Sequence, residues 1–263
     1  MSLTDEVNRL RAENAMLRAL LEAHGIAIPG SAAVEPEIPS DASAVSKRSS
    51  MAEKIALFMS LFQGRSDVYA RRWESRNGRA GYSPACKNEW RKGVCIKPKG
   101  KCAECSHAAY APYDANAVTA HLSGSQILGI YPLLTDETCR FLAIDFDDER
   151  WSDDVRMVAD TCRTREIPCS VEVSRSGNGA HLWIFFSNPV RADKARALGS
   201  TILTLAMNEN ARLSFKSYDR MFPNQDTMPK GGFGNLIALP LQVAAARRGG
   251  SLFVDDALIL ISI

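Results

Sequence analysis

Between Phe141 and Leu241 the apolar spacing alternates between the strand and helix periods in a set succession, and this constrains the fold more than any other feature. Phe141 to Phe146 predicts an apolar strand, and Asp153 to Glu166 an amphipathic helix. Ser170 to Val173 and His181 to Phe186 predict two strands joined by Arg175-Ser176-Gly177-Asn178-Gly179. Ala192 to Met207 predicts a second helix, and Leu236 to Leu241 a last strand. The order β-α-β-β-α-β is the split βαβ, or ferredoxin-like, α+β arrangement: an antiparallel sheet with two helices on one face and the other face free for a site. Its first and third strands are central neighbours.

Upstream, Met51 to Phe62 has helical spacing that stops at Gly64, and Asp114 can cap a short helix running to about Leu122. Val7, Leu10, Leu17 and Leu21 follow a heptad with Asn14 at the intervening core position, which predicts a short coiled-coil helix over 1–28 and a possible homodimer through it. A helix packed on its own domain is the alternative, because three heptads are marginal alone. Residues 29–50 hold Pro29, Gly30, Pro36 and Pro39 among Ser and Ala and predict a flexible linker. The folded module then spans 51–256, with a cysteine-containing insertion at about 82–107 and a core at about 126–243. No internal repeat is evident.

No run of about 18 apolar residues occurs, and the first eleven residues are polar, which argues against a membrane span and a secretory signal and predicts a cytoplasmic protein. The net charge is only +2, but residues 1–45 hold three basic and seven acidic side chains, so the remainder is basic. Between Gly64 and Ser106 stand eleven Lys or Arg residues against four acidic ones, with Tyr69, Trp73, Tyr82 and Trp90 interleaved. Cations beside aromatic faces suit single-stranded or partly unwound nucleic acid; a solvated basic surface with the aromatics packed inward is the alternative.

Phe141-Leu142-Ala143-Ile144-Asp145-Phe146-Asp147 puts two carboxylates two residues apart at a strand end, on one face of the sheet. Such a pair is favourable when cations neutralise it, and hard oxygen ligands suit Mg²⁺ or Mn²⁺. Asp219 is the expected third ligand, with Asp226 in reserve. In Ser176-Gly177-Asn178-Gly179-Ala180-His181, exposed amides would form an anion-binding concavity beside Arg175, with His181 entering the neighbouring strand. Lys216 and Arg220 would face phosphates or template.

Four of the seven cysteines, Cys86, Cys95, Cys102 and Cys105, are separated by eight, six and two residues, which predicts structural tetrahedral zinc, with His107 as a substitute ligand. Cys139, Cys162 and Cys169 read as small core residues.

Phe141 to Asp147, Ser176 to His181 and Asp219 on this frame resemble the archaeo-eukaryotic primase superfamily. The likeness is closest to the primase domain of TOTE conflict systems, carried also by Tyr82 to Cys86, the cysteine cluster, Gly129 to Leu134, Tyr218 to Asp226 and Gly234 to Gln242. The resemblance implies a nucleotidyltransferase that makes or extends a primer. Asp145, Asp147 and Asp219 would be ligands for two Mg²⁺ or Mn²⁺ ions, and Arg175, Ser176, Gly177, Gly179, His181, Lys216 and Arg220 would lie at the nucleotide. Its partners would be nucleoside triphosphates, a nucleic-acid template or primer, DNA in the first instance, and a helicase domain or protein. Members usually continue into further domains, whereas this sequence ends in the apolar stretch 257–263, which suggests truncation. A catalytically inactive nucleic-acid-binding module, and a nuclease or sugar-nucleotide transferase with an Asp-x-Asp pair, are the competing readings.

Overall fold

The computed structural model describes residue 9 and residues 12–16, 45–147, 149–210, 216–255 and 257–259. Two compact units divide the chain, Met1–Ala44 and Val45–Ile263. In the first, residues 12–16 are helical and exposed, Asn14 among them. The other predicted seam positions, Val7, Leu10, Leu17 and Leu21, lie outside the described residues, as do residues 29–44 of the predicted linker and residues 260–263 of the apolar tail. Among the described residues no helix is long and apolar enough to cross a membrane.

The second unit opens with α1 (Met51–Leu61), started by a capping box: Glu53 N donates to Ser50 Oγ at 3.3 Å and Ser50 N donates to Glu53 Oε2 at 2.7 Å. A hairpin of β1 (Ala70–Glu74) and β2 (Ala80–Pro84) follows, then α2 (Ala115–Leu122), capped by Asp114 Oδ1 accepting from Ala117 N at 2.9 Å, and β3 (Leu128–Ile130). Next come β4 (Thr138–Asp147), α3 (Trp151–Thr164), β5 (Ser170–Val173), β6 (Gly179–Arg191), α4 (Ala192–Glu209) and β7 (Tyr218–Phe222). The chain closes with β8 (Ile237–Ala238), the short helix α5 (Val243–Ala246) and β9 (Leu252–Val254).

A five-stranded antiparallel sheet runs β7-β4-β6-β5-β9, and a four-stranded one runs β2-β1-β3-β8. The larger sheet has the split βαβ order, with β4 and β6 as central neighbours. Its fourth strand is nevertheless β7 and not the predicted Leu236 to Leu241 strand, of which Ile237 and Ala238 pair with β3 in the small sheet. The reason is local: Tyr-Asp-Arg-Met-Phe interrupts its apolar residues with an ion pair and gives a weaker strand signal than the apolar run Leu236 to Leu241.

Both faces of β4 are buried, so the run reads as continuously apolar rather than alternating. Leu142, Ile144 and Phe146 pack with Val155, Val158 and Ile202 beneath α3 and α4. Phe141 and Ala143 face the other way, into a second core with Phe58, Phe62, Trp183 and Phe222. The face expected to stand free is therefore covered over most of its length by the N-terminal helices and small sheet. It remains polar where β4 ends at Asp145 and Asp147.

Candidate metal centre and nucleotide site

Strand pairing sets the geometry of this polar end. Asp145 lies opposite His181, and Asp147 opposite Gly179. On the other side of β4 the register slips between Asp145↔Arg220 and Phe146↔Tyr218, so Asp219 is the extra residue of a β-bulge. A bulge re-aims one side chain without dissolving the ladder. Here one carboxylate oxygen each of Asp145, Asp147 and Asp219 lies within 4.8 Å of the others, the one such group of metal-ligating side chains among the described residues. Asp226 is not part of it; it pairs with Arg196 on α4.

Burial raises the Asp147 carboxyl above its ordinary range, and the neighbouring charges of Asp145 and Asp219 add to the effect. Asp145 Oδ1 is buried without a hydrogen-bond partner among the described residues. Three hard oxygen donors this close, one of them buried with no hydrogen bond and only the His181 imidazole nearby, are the chemistry of a divalent-cation site. Arg220 Nε donates to Asp219 Oδ2 at 2.6 Å, so this guanidinium sits on the carboxylates rather than apart from them.

His181 is buried beside the cluster, with Nε2 at 3.4 Å from Asp145 Oδ1 and Nδ1 at 2.8 Å from Glu172 Oε2. Glu172 is itself only 2% exposed and also accepts from Trp183 Nε1 at 3.2 Å. Burial alone would drive the imidazole neutral, but the Glu172 charge and the contacts to Asp145 and Glu172 outweigh it and push it up to about 10. The two neighbouring carboxylates thus favour the protonated form of His181. Sequence reasoning missed Glu172; the signal was a single charge inside the apolar strand Ser170 to Val173, which only a buried partner satisfies.

The loop departs from expectation. Gly177 takes a left-handed φ of 81°, and its amide donates to Ser174 O at 3.0 Å, while Asn178 N donates to Ser176 Oγ at 3.2 Å. These amides are occupied inside the turn and do not form the expected open concavity, because a tight turn closes on its own donors. Ser176 Oγ lies 2.9 Å from Ser174 Oγ. Arg175 is half-buried, and its charge acts on Tyr82 and Glu74 of the small sheet rather than on the aspartates. Lys216 is exposed.

Asp147 has two supports that sequence reasoning also missed. Its amide donates to Ser217 O at 2.7 Å, and Ser217 Oγ donates to the fully buried Asp154 of α3 at 2.5 Å. Gly179 provides room: an added Cβ would run into Asp147 Oδ1 and lie 2.5 Å from the Phe146 carbonyl oxygen.

Away from this site, Cys86, Cys95, Cys102 and Cys105 line one small cavity together with His107, Lys97 and Tyr110. Cys86 Sγ accepts from Asn88 N and Ala109 N, each at 3.4 Å. Cys139 and Cys162 are buried, and Cys169 is half-buried.

Residues 53–262 match the family described as the TOTE conflict system, Archaeo-Eukaryotic Primase domain. No curated protein matches the chain. Among solved structures, the polymerase domain from Mycobacterium tuberculosis Ligase D in complex with DNA is similar at 14% identity and a TM-score of 0.39, over 59% of this chain and 60% of that one.

Proposed function

The chain belongs to the archaeo-eukaryotic primase domain family of TOTE conflict systems, and from that premise we propose that it is a template-dependent nucleotidyltransferase, a primase or primase-polymerase. The observation that carries this reading is the convergence of Asp145, Asp147 and Asp219 beside His181, which is held by Glu172. Bound there, two Mg²⁺ or Mn²⁺ ions would supply activation of a primer 3′-hydroxyl and stabilisation of the departing pyrophosphate.

The chain's own residues do the positioning. Glu172 holds His181 by Nδ1 and keeps it protonated, which leaves Nε2–H as a charged donor for a triphosphate oxygen once Asp145 turns to a cation. Ser176 offers its hydroxyl from the turn that precedes β6. Arg220 donates to Asp219 in the free chain, and with Asp219 committed to a metal its guanidinium would be available to the phosphates, where with His181 it would orient the α-phosphorus for in-line attack. The partners in this reading are nucleoside triphosphates and a nucleic-acid template.

The cysteine module is read as a structural zinc site held by Cys86, Cys95, Cys102 and Cys105. Its support is their spacing and the small cavity they share; among the described residues their sulfurs are not drawn together as the three aspartates are, so the metal would have to gather them.

The test uses labelled template, primer and nucleotides with Mn²⁺. The native chain should lengthen the strand, and the double variant Asp145→Ala, Asp147→Ala should lower incorporation by at least about 1,000-fold with an unchanged circular dichroism spectrum. Full incorporation by that variant removes the assignment; strand shortening by the native chain points instead to a nuclease.

A further inference from the structure

One face of the β1–β2 hairpin carries chemistry that the metal centre does not use. Arg71 and Trp73 stand on the same side of β1, opposite Ser83 and Gly81 of β2. The missing side chain of Gly81 lets the Trp73 indole lie against the strand, since a Cβ there would come within 2.9 Å of Trp73 Cζ2. The indole is nonetheless 45% exposed.

Ion pairs join this face to the cysteine module. Glu89 receives Arg71 and, at 2.8 Å, Lys97 Nζ, and Ser83 Oγ donates to it at 3.3 Å. Lys97 Nζ in turn lies 5.7 Å from the centroid of the Trp90 ring. Trp90 is 66% exposed and has a φ of 61°. A bulky aromatic in left-handed backbone and in solvent is doubly unfavourable, and the fold gains no core contact from it; such outliers cluster where a ligand is met. Tyr69 and Tyr82, the other aromatics of this basic stretch, behave differently: Tyr69 is buried and the Tyr82 hydroxyl is enclosed. Within three residues of the tryptophans in the chain, Arg76, Arg91 and Lys92 are exposed, as is Arg79 on the other side of the hairpin turn, and among the described residues none has an ion-pair partner.

We propose that Trp73 and Trp90 form a stacking platform for single-stranded nucleic acid, with the unpaired cations around them taking its phosphates. The idea extends the template-binding part of the reading above and is independent of the metal centre. Charge complementarity favours this occupant: the centres of protein interfaces are depleted in charge, whereas single-strand surfaces combine aromatic platforms with a basic surround. A duplex keeps its base faces stacked internally and has nothing to offer an indole.

The experiment is fluorescence anisotropy of the full chain with a labelled single-stranded DNA 15-mer, the matching RNA, and the duplex, without nucleotides or added metal. Single strands should bind more tightly than duplex. Trp73→Ala and Trp90→Ala should each weaken single-strand binding about tenfold and leave its salt slope unchanged, while Trp→Phe retains most of the affinity. The DNA and RNA arms establish which strand is held. Native affinity in both alanine variants, or a duplex preference, overturns the platform. Should an alanine variant fail to fold, the unmodified chain decides: tryptophan emission should be quenched on titration with oligo-dT, and saturation without quenching overturns the proposal. Binding through both tryptophans by a chain that never extends a primer leaves this inference standing and removes the polymerase reading; extension insensitive to both does the reverse.

Discussion

Gly179 shows how little room the aspartate cluster has. The string Ser-Gly-Asn-Gly-Ala-His was legible as a tight turn leading a histidine into a strand, but why its second glycine must be glycine depends on Asp147 across the ladder. Gly179→Ala should displace the Asp147 carboxylate, lower Mn²⁺ affinity and incorporation at least about tenfold, and leave the chain folded, as checked by calorimetric Mn²⁺ titration beside circular dichroism. Native Mn²⁺ affinity in this variant would show that the strand can shift at no expense to the site. Asp145 and Asp147 were readable as a pair because alternation along a strand is a local property. Asp219 was readable only as a candidate, since the bulge that aims it arises from the register between β7 and β4. Glu172 was missed because nothing near it in sequence names its partner; His181 is nine residues away and meets it only across β5 and β6.

At the scale of elements, α2 is tied to the small sheet by a buried histidine. His121 Nε2 donates to Pro240 O at 2.8 Å, and its Nδ1 accepts from Leu128 N at 3.2 Å, so the ring must be neutral to serve both. Burial lowers its pKa from the usual value. A group whose folded pKa lies below the unfolded one contributes stability at pH above about 6.5, and that contribution is lost as acid drives it toward the charged form. The melting temperature should therefore drop as pH falls below about 6.5 in the native chain and drop less in His121→Gln; equal slopes would show that this ring does not govern the acid limb. His181 has the opposite sign, since its pKa is raised to about 10 in the free chain and its contribution is lost only in alkali. The extent of α1, the cap of α2 and the strand Ser170 to Val173 were legible because their signals lie within a few residues of one another. Leu236 to Leu241 was expected as the last strand of the large sheet, the place that β7 takes, because a short strand owes its place to what it pairs with.

Over the whole molecule, the cysteine module is joined to the small sheet through Glu89, which receives Arg71 of β1 and Ser83 of β2, while Cys86 bridges to Tyr110 within the module itself. Few apolar side chains lie between the cysteines, so a metal is the expected source of local order. Elemental analysis of the purified chain should find one zinc. Cys102→Ser should abolish its retention, and a chelator should lower the melting temperature and weaken single-strand binding through loss of Trp90's support; a zinc-free chain with full thermal stability would refute the zinc assignment.

The amino-acid sequence by itself determined the strand, helix and turn segments from Phe141 to Met207, the carboxylate pair on one face of β4, the α2 cap and the cysteine spacing, because each is written in neighbours a few positions apart. Tertiary structure decided the rest: that Asp219 joins the pair and Asp226 does not, that Glu172 charges His181, and that two of four aromatics in the basic stretch face outward. These depend on register and burial, which arise from contacts between residues tens of positions apart and so leave no local periodicity to read.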